Sequence, residues 1–357
     1  MSNKIKIMIV EDSLTMRNFL FQAFSDIQNI EIISYASNGK LAIPRIKFYQ
    51  PDFVILDYEM PLMDGIETIK EIKKQNIETN IIMFSAYTYE GAEVTLEALK
   101  EGAIDFVSKP NFKAHPQEIV DYIKKNLIQK IIELSIEKKR EQKEQKQEQK
   151  KETKLLDKEI LINRFSFDLS KIEIVGIGIS TGGPIVLHEI VKNLPRIKKI
   201  IVIVQHMPPL FTLKLAESLN KISKNKVLEA QDQMILEEGC IYIAPGGFHL
   251  GIDKNNDDYI ARLYDDPPIN NCKPSVDFLF DSLSKFGNKA VGIIMTGMGI
   301  DGYEGIKKMY RAGCYTIAQS PESCVVYGMP KKPIEENLVY EILSPIEISN
   351  FLKKTIC

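Results

Sequence analysis

Three residue types able to do acyl-transfer chemistry stand at one kind of place in the second half of this 357-residue chain, the point where an apolar run stops. KIEIVGIGIS (171–180) runs into STGGP, and Gly178-Ile179-Ser180-Thr181-Gly182 fits G-x-S-x-G, the sharp strand-to-helix turn that exposes a nucleophilic serine. The N–H groups at the start of the following helix, that of Thr181 among them, are placed to stabilise an oxyanion. KKIIVIV (198–204) ends in Gln205-His206-Met207-Pro208-Pro209, which makes His206 the general-base candidate for Ser180. AVGIIM (290–295) enters TGMGIDGYEG, where Asp301 would fix the tautomer of His206 and stabilise its imidazolium. The same glycines permit a competing nucleotide reading, GxGxxxG at Gly176, Gly178 and Gly182 and GxGxxG at Gly297, Gly299 and Gly302. No acid ends the next strand to hold a ribose, and Asp301 would face a pyrophosphate. Asp277 and Asp281 compete for the role of Asp301, but PSVDFLFDSL reads as an amphipathic helix with both on its polar face. His115, His188 and His249 read as structural.

A second constellation occupies the first half. One apolar run ends in Glu11-Asp12, another in Asp57, a third in Ser85 and a fourth in Lys109-Pro110. Three carboxylates at one rim repel one another, and a divalent cation with a taste for oxygen, Mg2+ above all, relieves that repulsion. Asp57 can then attack a phosphoryl group while Lys109 neutralises its oxygens and Ser85 hydrogen-bonds one of them. The plainer alternative makes Glu11 and Asp12 N-caps of the helix that begins SLTMR, and Lys109 a surface cation.

The elements that must hold these groups are short apolar strands alternating with helical patterns. IKIMIV (5–10), EIISYAS (31–37), FVIL (53–56), NIIMFSA (80–86) and IDFVS (104–108) are the strands of the first half. SLTMRNFLFQAF and GIETIKEIKKQ are among the helices between them. Alternation of this kind specifies a doubly wound α/β fold, parallel sheets with helices on both faces, whose ligands gather at the carboxyl ends of the strands. Between the halves, EKKREQKEQKQEQKKETK (137–154) carries eight basic residues, five Glu and no apolar side chain. That composition cannot bury a core and reads as a tether. The expected division is 1–128, a linker over 129–165, and 166–357.

Composition excludes several classes. The chain is 44% hydrophobic and 26% charged with a net charge of -2, a globular balance with no global case for nucleic acid. No run is long and apolar enough to cross a bilayer, and the N-terminus does not read as a signal peptide. Five widely spaced cysteines fit reduced thiols in a cytosol better than a disulfide framework.

VEDS, LDYEMP, FSA and FVSKP resemble the receiver domain of response regulators over about 125 residues. GISTGGP, QHMPP, YIAPGGFHL, KPSVDFLF, TGMGIDGYEG and VVYGMP resemble, in order, the chemotaxis protein-glutamate methylesterases, which join a receiver to a serine-esterase domain. The receiver resemblance implies a flavodoxin-like domain with Asp57 as phosphorylation site and Glu11, Asp12 and Asp57 as Mg2+ ligands. Ser85, Phe106 and Lys109 would read the signal, with a cis bond before Pro110. The esterase resemblance implies a Rossmann-like catalytic domain with Ser180, His206 and Asp301 as the triad, and Thr181 and the Met298 N–H at the oxyanion. It further implies hydrolysis of γ-glutamyl methyl esters on methyl-accepting chemotaxis receptors in the cytoplasm, with glutamine deamidation as a related activity. The phosphodonor would be the chemotaxis histidine kinase; no cofactor is implied for the esterase, no nucleic acid and no membrane insertion. One departure concerns the His-Arg pair the family commonly carries before Pro-Ser-Val-Asp, which here is Cys272-Lys273. A receiver-controlled hydrolase of another ester or amide, and a non-catalytic receptor-binding adaptor, remain the alternatives from the residues alone.

Overall fold

The computed structural model describes residues 4–110, 114–136 and 167–357; the expected tether, 137–154, lies outside the described residues. The chain divides into two compact units, Met1–Lys138 and Lys139–Cys357. This division falls within the segment expected to be linker.

In the first unit β1 (Ile5–Val10), β2 (Ile30–Ala36), β3 (Phe53–Leu56), β4 (Asn80–Ser85) and β5 (Asp105–Ser108) form one parallel sheet ordered β2-β1-β3-β4-β5. This is the flavodoxin-like order. Strands buried on both faces are nearly continuous apolar runs: every residue of β3 is buried, and β1 exposes only Lys6. The helices that cover the sheet are α1 (Leu14–Phe24), α2 (Gly39–Tyr49), α3 (Gly65–Lys74), α4 (Tyr89–Glu101) and α5 (Pro116–Ile123), and helical turns continue through residue 136. The α1 N-cap is Ser13, whose hydroxyl accepts the Met16 N–H. Glu11 and Asp12 therefore do not cap α1. Among the described residues the one cis peptide bond is Lys273–Pro274, so the bond before Pro110 is trans, contrary to the expectation. Lys109 is held by other means, its N–H donating to the Ser85 carbonyl at 2.7 Å.

The second unit opens with β6 (Ile174–Ile179), α6 (Gly183–Asn193), β7 (Ile200–Gln205), α7 (Phe211–Ile222), β8 (Lys226–Glu229), β9 (Ile235–Leu236) and β10 (Cys240–Ile243). There follow β11 (His249–Asn255), β12 (Asp258–Tyr264), α8 (Val276–Ser284), β13 (Ala290–Ile294), α9 (Tyr303–Arg311) and β14 (Tyr315–Gln319). The chain closes with α10 (Lys331–Glu335), β15 (Glu341–Leu343) and α11 (Pro345–Ile356). Seven strands make a parallel sheet ordered β15-β14-β13-β6-β7-β10-β8, doubly wound as the sequence predicts. An antiparallel sheet, β11-β12-β9, was not expected. The core gathers Val202, Val204, Tyr242, Leu279, Phe280, Ile294 and Met309.

β6 lies at the centre, with β7 on one side and β13 on the other. Chain order reverses across it, which is the switch point where crevices open in such sheets. Ser180, His206 and Asp301 follow these three adjacent strands.

Candidate functional site

The register of the seven-stranded sheet extends past its strands into the loops that carry the chemistry. Met295 N–H donates to the Gly178 carbonyl (2.8 Å), Ser180 N–H to that of Thr296 (2.9 Å) and His206 N–H to that of Ile179 (3.2 Å). The three loops are thus joined backbone to backbone. Gly182 has φ +78° at the turn into α6, a conformation most side chains avoid, and a Cβ there would meet Val325 at 2.5 Å. Gly297 is needed for another reason: a Cβ would approach the Ser180 Cβ to 2.7 Å. The loop after β13 can cross the serine only because position 297 has no side chain.

Asp301 is almost fully buried, at 1% exposure. It sits at the amino end of α8, where Oδ2 accepts the Val276 N–H at 2.6 Å and Oδ1 accepts the Ser275 hydroxyl at 2.7 Å. The Asp277 N–H and the Asn270 amide are each 3.3 Å from Oδ1. Orphan N–H groups at a helix start are a natural seat for an anion. Oδ2 also lies 2.7 Å from His206 Nε2. Burial works against the charge on Asp301, but the His206 ring, Ser275 and Val276 outweigh it and hold the carboxyl below its usual range. The competitor carboxylates are engaged elsewhere: Asp277 accepts the Gly305 N–H at 2.7 Å, and Asp281 pairs with Lys308.

His206, the general-base candidate, makes its side-chain contacts among the described residues with Asp301 and Cys272 and not with Ser180. With Nε2 on Asp301, the other ring nitrogen of His206, Nδ1, faces the sulfur of Cys272 at 3.6 Å. Burial lowers the basicity of this imidazole, and the neighbouring Cys272 and Asp301 more than restore it, so its pKa is raised. The Met298 N–H makes no hydrogen bond among the described residues, and Met298 is half-buried. Thr181 is buried beside the nucleophile.

Sequence reasoning missed four contributors. The buried Gln205 amide donates to the Ser180 carbonyl at 2.9 Å, tying the nucleophile turn to the histidine loop. Thr296 accepts the Ser180 N–H on its carbonyl, while its hydroxyl donates to the Thr181 carbonyl at 3.0 Å. Ser275 is bracketed by Asp301 and by His249, whose Nδ1 accepts the Ser275 N–H at 3.1 Å. Cys272 touches the base itself. Gln205 carried a signal in its adjacency to His206, and Cys272 in its departure from the family pattern. Lys273, at the other departure from the family pattern, pairs with Asp265.

In the first unit the register Val10↔Leu56 and Ser85↔Ser108 sets Glu11, Asp57 and Lys109 one step beyond paired strand ends. Lys109 Nζ bridges Asp57 Oδ2 (2.8 Å) and Glu11 Oε2 (2.9 Å). Burial first, and then mutual repulsion, raises the pKa of Glu11; burial also raises that of Asp57, against the pull of Lys109. Burial pulls Lys109 down, but the two carboxylates outweigh it and its pKa rises. One oxygen each of Glu11, Asp12 and Asp57 lie within 4.8 Å of one another. Ser85 Oγ is buried with no hydrogen-bond partner among the described residues, which leaves it able to take a phosphoryl oxygen, while Lys109 is the only group paired with Glu11 Oε2 among the described residues. This all-oxygen set fits Mg2+. Phe106 is buried on β5.

Residues 7–124 match the response regulator receiver domain and residues 175–352 the CheB methylesterase family. A protein-glutamate methylesterase/protein-glutamine glutaminase of Desulfotalea psychrophila is 38% identical over 343 residues, 94% of either chain. That of Salmonella typhimurium is 36% identical over 351 residues, 97% of this chain and 95% of its own. The crystal structure of the Thermotoga maritima CheB methylesterase catalytic domain is 43% identical, with TM-score 0.50, and covers 51% of this chain and 98% of its own.

Proposed function

The chain belongs to the protein-glutamate methylesterase/protein-glutamine glutaminase family, a receiver joined to a CheB methylesterase domain, and from that premise we propose the residues that carry the reaction. The protein is a chemotaxis methylesterase regulated by phosphorylation, acting on chemoreceptors under a two-component kinase. The observation that most supports the assignment of roles is the buried Asp301–His206 contact of 2.7 Å beside the Ser180 turn.

Ser180 Oγ attacks the γ-carbonyl carbon of a receptor glutamyl methyl ester. Its proton passes to His206 Nδ1, the ring nitrogen Asp301 does not hold, once the imidazole exchanges Cys272 for the serine. The N–H groups of Met298 and Thr181 receive the oxyanion. His206 then protonates the departing methoxide, and methanol leaves. Water, deprotonated by the same nitrogen, attacks the acyl-serine and releases the glutamate carboxylate and the free hydroxyl. Glutamine deamidation is the same sequence with ammonia leaving. Asp301 stabilises the imidazolium in both halves of the cycle.

In the receiver, Asp57 is the phosphoryl acceptor and Lys109 the cation that moves from carboxylate to phosphoryl oxygen. Ser85 Oγ supplies a hydrogen bond, and Phe106 follows the change. Glu11, Asp12 and Asp57 would hold Mg2+, which when bound neutralises the phosphoryl oxygens. The methyl-accepting receptors as substrate, the chemotaxis histidine kinase as donor and a cytoplasmic location complete the reading. Among the described residues no helix is long and apolar enough to cross a membrane.

The test is methanol release from methylated chemoreceptor membranes, with and without a small-molecule phosphodonor and Mg2+. Release should rise with phosphodonor in the wild type and stay at the basal rate in Asp57→Asn. A wild type no faster than Asp57→Asn under phosphodonor removes receiver control from the reading. Cys272→Ser gives an independent check on the base. The sulfur raises the pKa of His206, so its removal lowers that pKa and populates the neutral imidazole at lower pH. The acidic limb of kcat/KM should therefore move to lower pH in Cys272→Ser; an unmoved limb means another group sets it.

A further inference from the structure

Cys272 is held against His206 by a built loop. Ile269 and Cys272 exchange backbone hydrogen bonds (3.1 and 2.8 Å) across Asn270 and Asn271, both with positive φ (51° and 61°). Asparagine tolerates that conformation, so the turn is tight and its closing residue well placed. The thiol is half-buried, 3.5 Å from the Asn270 carbonyl and 3.6 Å from His206 Nδ1. One donor atom each from His206, Cys272 and Asp301 lie within 4.8 Å of one another.

We propose that Cys272 Sγ and His206 Nδ1 form a binding site for a thiophilic divalent cation such as Zn2+, and that its occupation switches the esterase off. The geometry suits the ion. A tetrahedral zinc with Zn–S about 2.3 Å and Zn–N about 2.0–2.1 Å separates sulfur and nitrogen by about 3.5–3.6 Å. The observed separation is 3.6 Å. Asp301, on Nε2 at 2.7 Å, supplies the carboxylate that commonly orients a metal-bound histidine through its other nitrogen. Two remaining positions are left to water. Thiolate and imidazole favour Zn2+ over Mg2+, whereas the receiver's all-oxygen set has the opposite preference. A cation on Nδ1 displaces the thiol proton and removes the one ring nitrogen free to exchange protons with Ser180. Metal binding stands independently of the proposed reaction; the inhibitory consequence rests on it.

Cobalt reports on the site without any turnover. The full chain, with Mg2+ in excess to fill the receiver site, is titrated with Co2+ under reducing conditions. One equivalent should give a thiolate-to-cobalt charge-transfer band in the near ultraviolet, displaced by Zn2+. The band should vanish in Cys272→Ser and persist in Cys324→Ser and Cys357→Ser. In parallel, Zn2+ should inhibit methanol release, a zinc-selective chelator should restore it, and the inhibitory concentration should rise about 10–100-fold in Cys272→Ser. Each variant is compared with its own zinc-free rate. No band in the wild type, or an unchanged band in Cys272→Ser, overturns the site. A band without inhibition overturns the switch, and a band from a protein inactive in every condition refutes the esterase reading while the metal site stands.

Discussion

Ser180→Ala should lower kcat/KM for methanol release on the order of 10⁴-fold or more, about 5.5 kcal/mol of transition-state stabilisation, with little change in melting temperature. The two halves of this expectation have separate causes. Ser180 is only half-buried, so its small hydroxyl contributes little packing to the folded state. The backbone around it is held by others: the Thr296 carbonyl takes its N–H, and the Gln205 amide and Gly183 N–H reach its carbonyl. The turn therefore survives without the hydroxyl, and only the nucleophile is gone. A variant that kept a tenth of wild-type turnover would mean another group attacks the ester. A variant that failed to fold would show that the hydroxyl has a structural partner after all.

Asp301→Asn should also cost about 10³–10⁴-fold in kcat/KM, but here the fold suffers as well. The carboxylate accepts from Ser275 and Val276, with weaker contacts to Asp277 and Asn270, and faces His206. An amide has one accepting oxygen, so its NH2 must turn toward groups that are themselves donors. Leaving a buried donor unpaired costs about 1–3 kcal/mol, more where the lost partner was charged. Differential scanning calorimetry should show a lower melting temperature for Asp301→Asn than for Ser180→Ala. The pH dependence carries the sign of a depressed carboxyl pKa: Asp301 contributes stability above its unfolded value and loses it as pH falls through the folded one. The gap between wild type and Asp301→Asn should therefore narrow in acid. A gap independent of pH down to the unfolding limit would contradict the charge-based account.

How far the sequence reaches differs from one element to the next. IKIMIV and FVIL coincide with β1 and β3, and AVGIIM (290–295) overruns β13 by one residue, because strands covered on both faces are apolar at nearly every position. The run 171–180 begins too early, since Leu169–Lys171 forms a short 3-10 turn before β6 starts at Ile174. The β11-β12-β9 sheet went unread. β12 alternates buried Tyr259 and Ala261 with more exposed neighbours, a weaker signal than an unbroken apolar run. In the site, Ser180, His206 and Asp301 could be picked out as polar residues following buried strands. That His206 Nδ1 would face Cys272 could not.

By itself the sequence determined the doubly wound class, the two-part organisation and the positions where polar groups follow apolar strands, since burial imposes a periodicity that can be read locally. Tertiary structure alone decided the order β13-β6-β7, which brings residues 121 positions apart to one crevice, and the seating of Asp301 on the amino end of α8. It also decided which face of the imidazole meets which partner, with Asp301 on Nε2 and Cys272 on Nδ1. Those contacts depend on distances and directions between segments remote in sequence, and no local pattern of hydrophobicity or spacing encodes them.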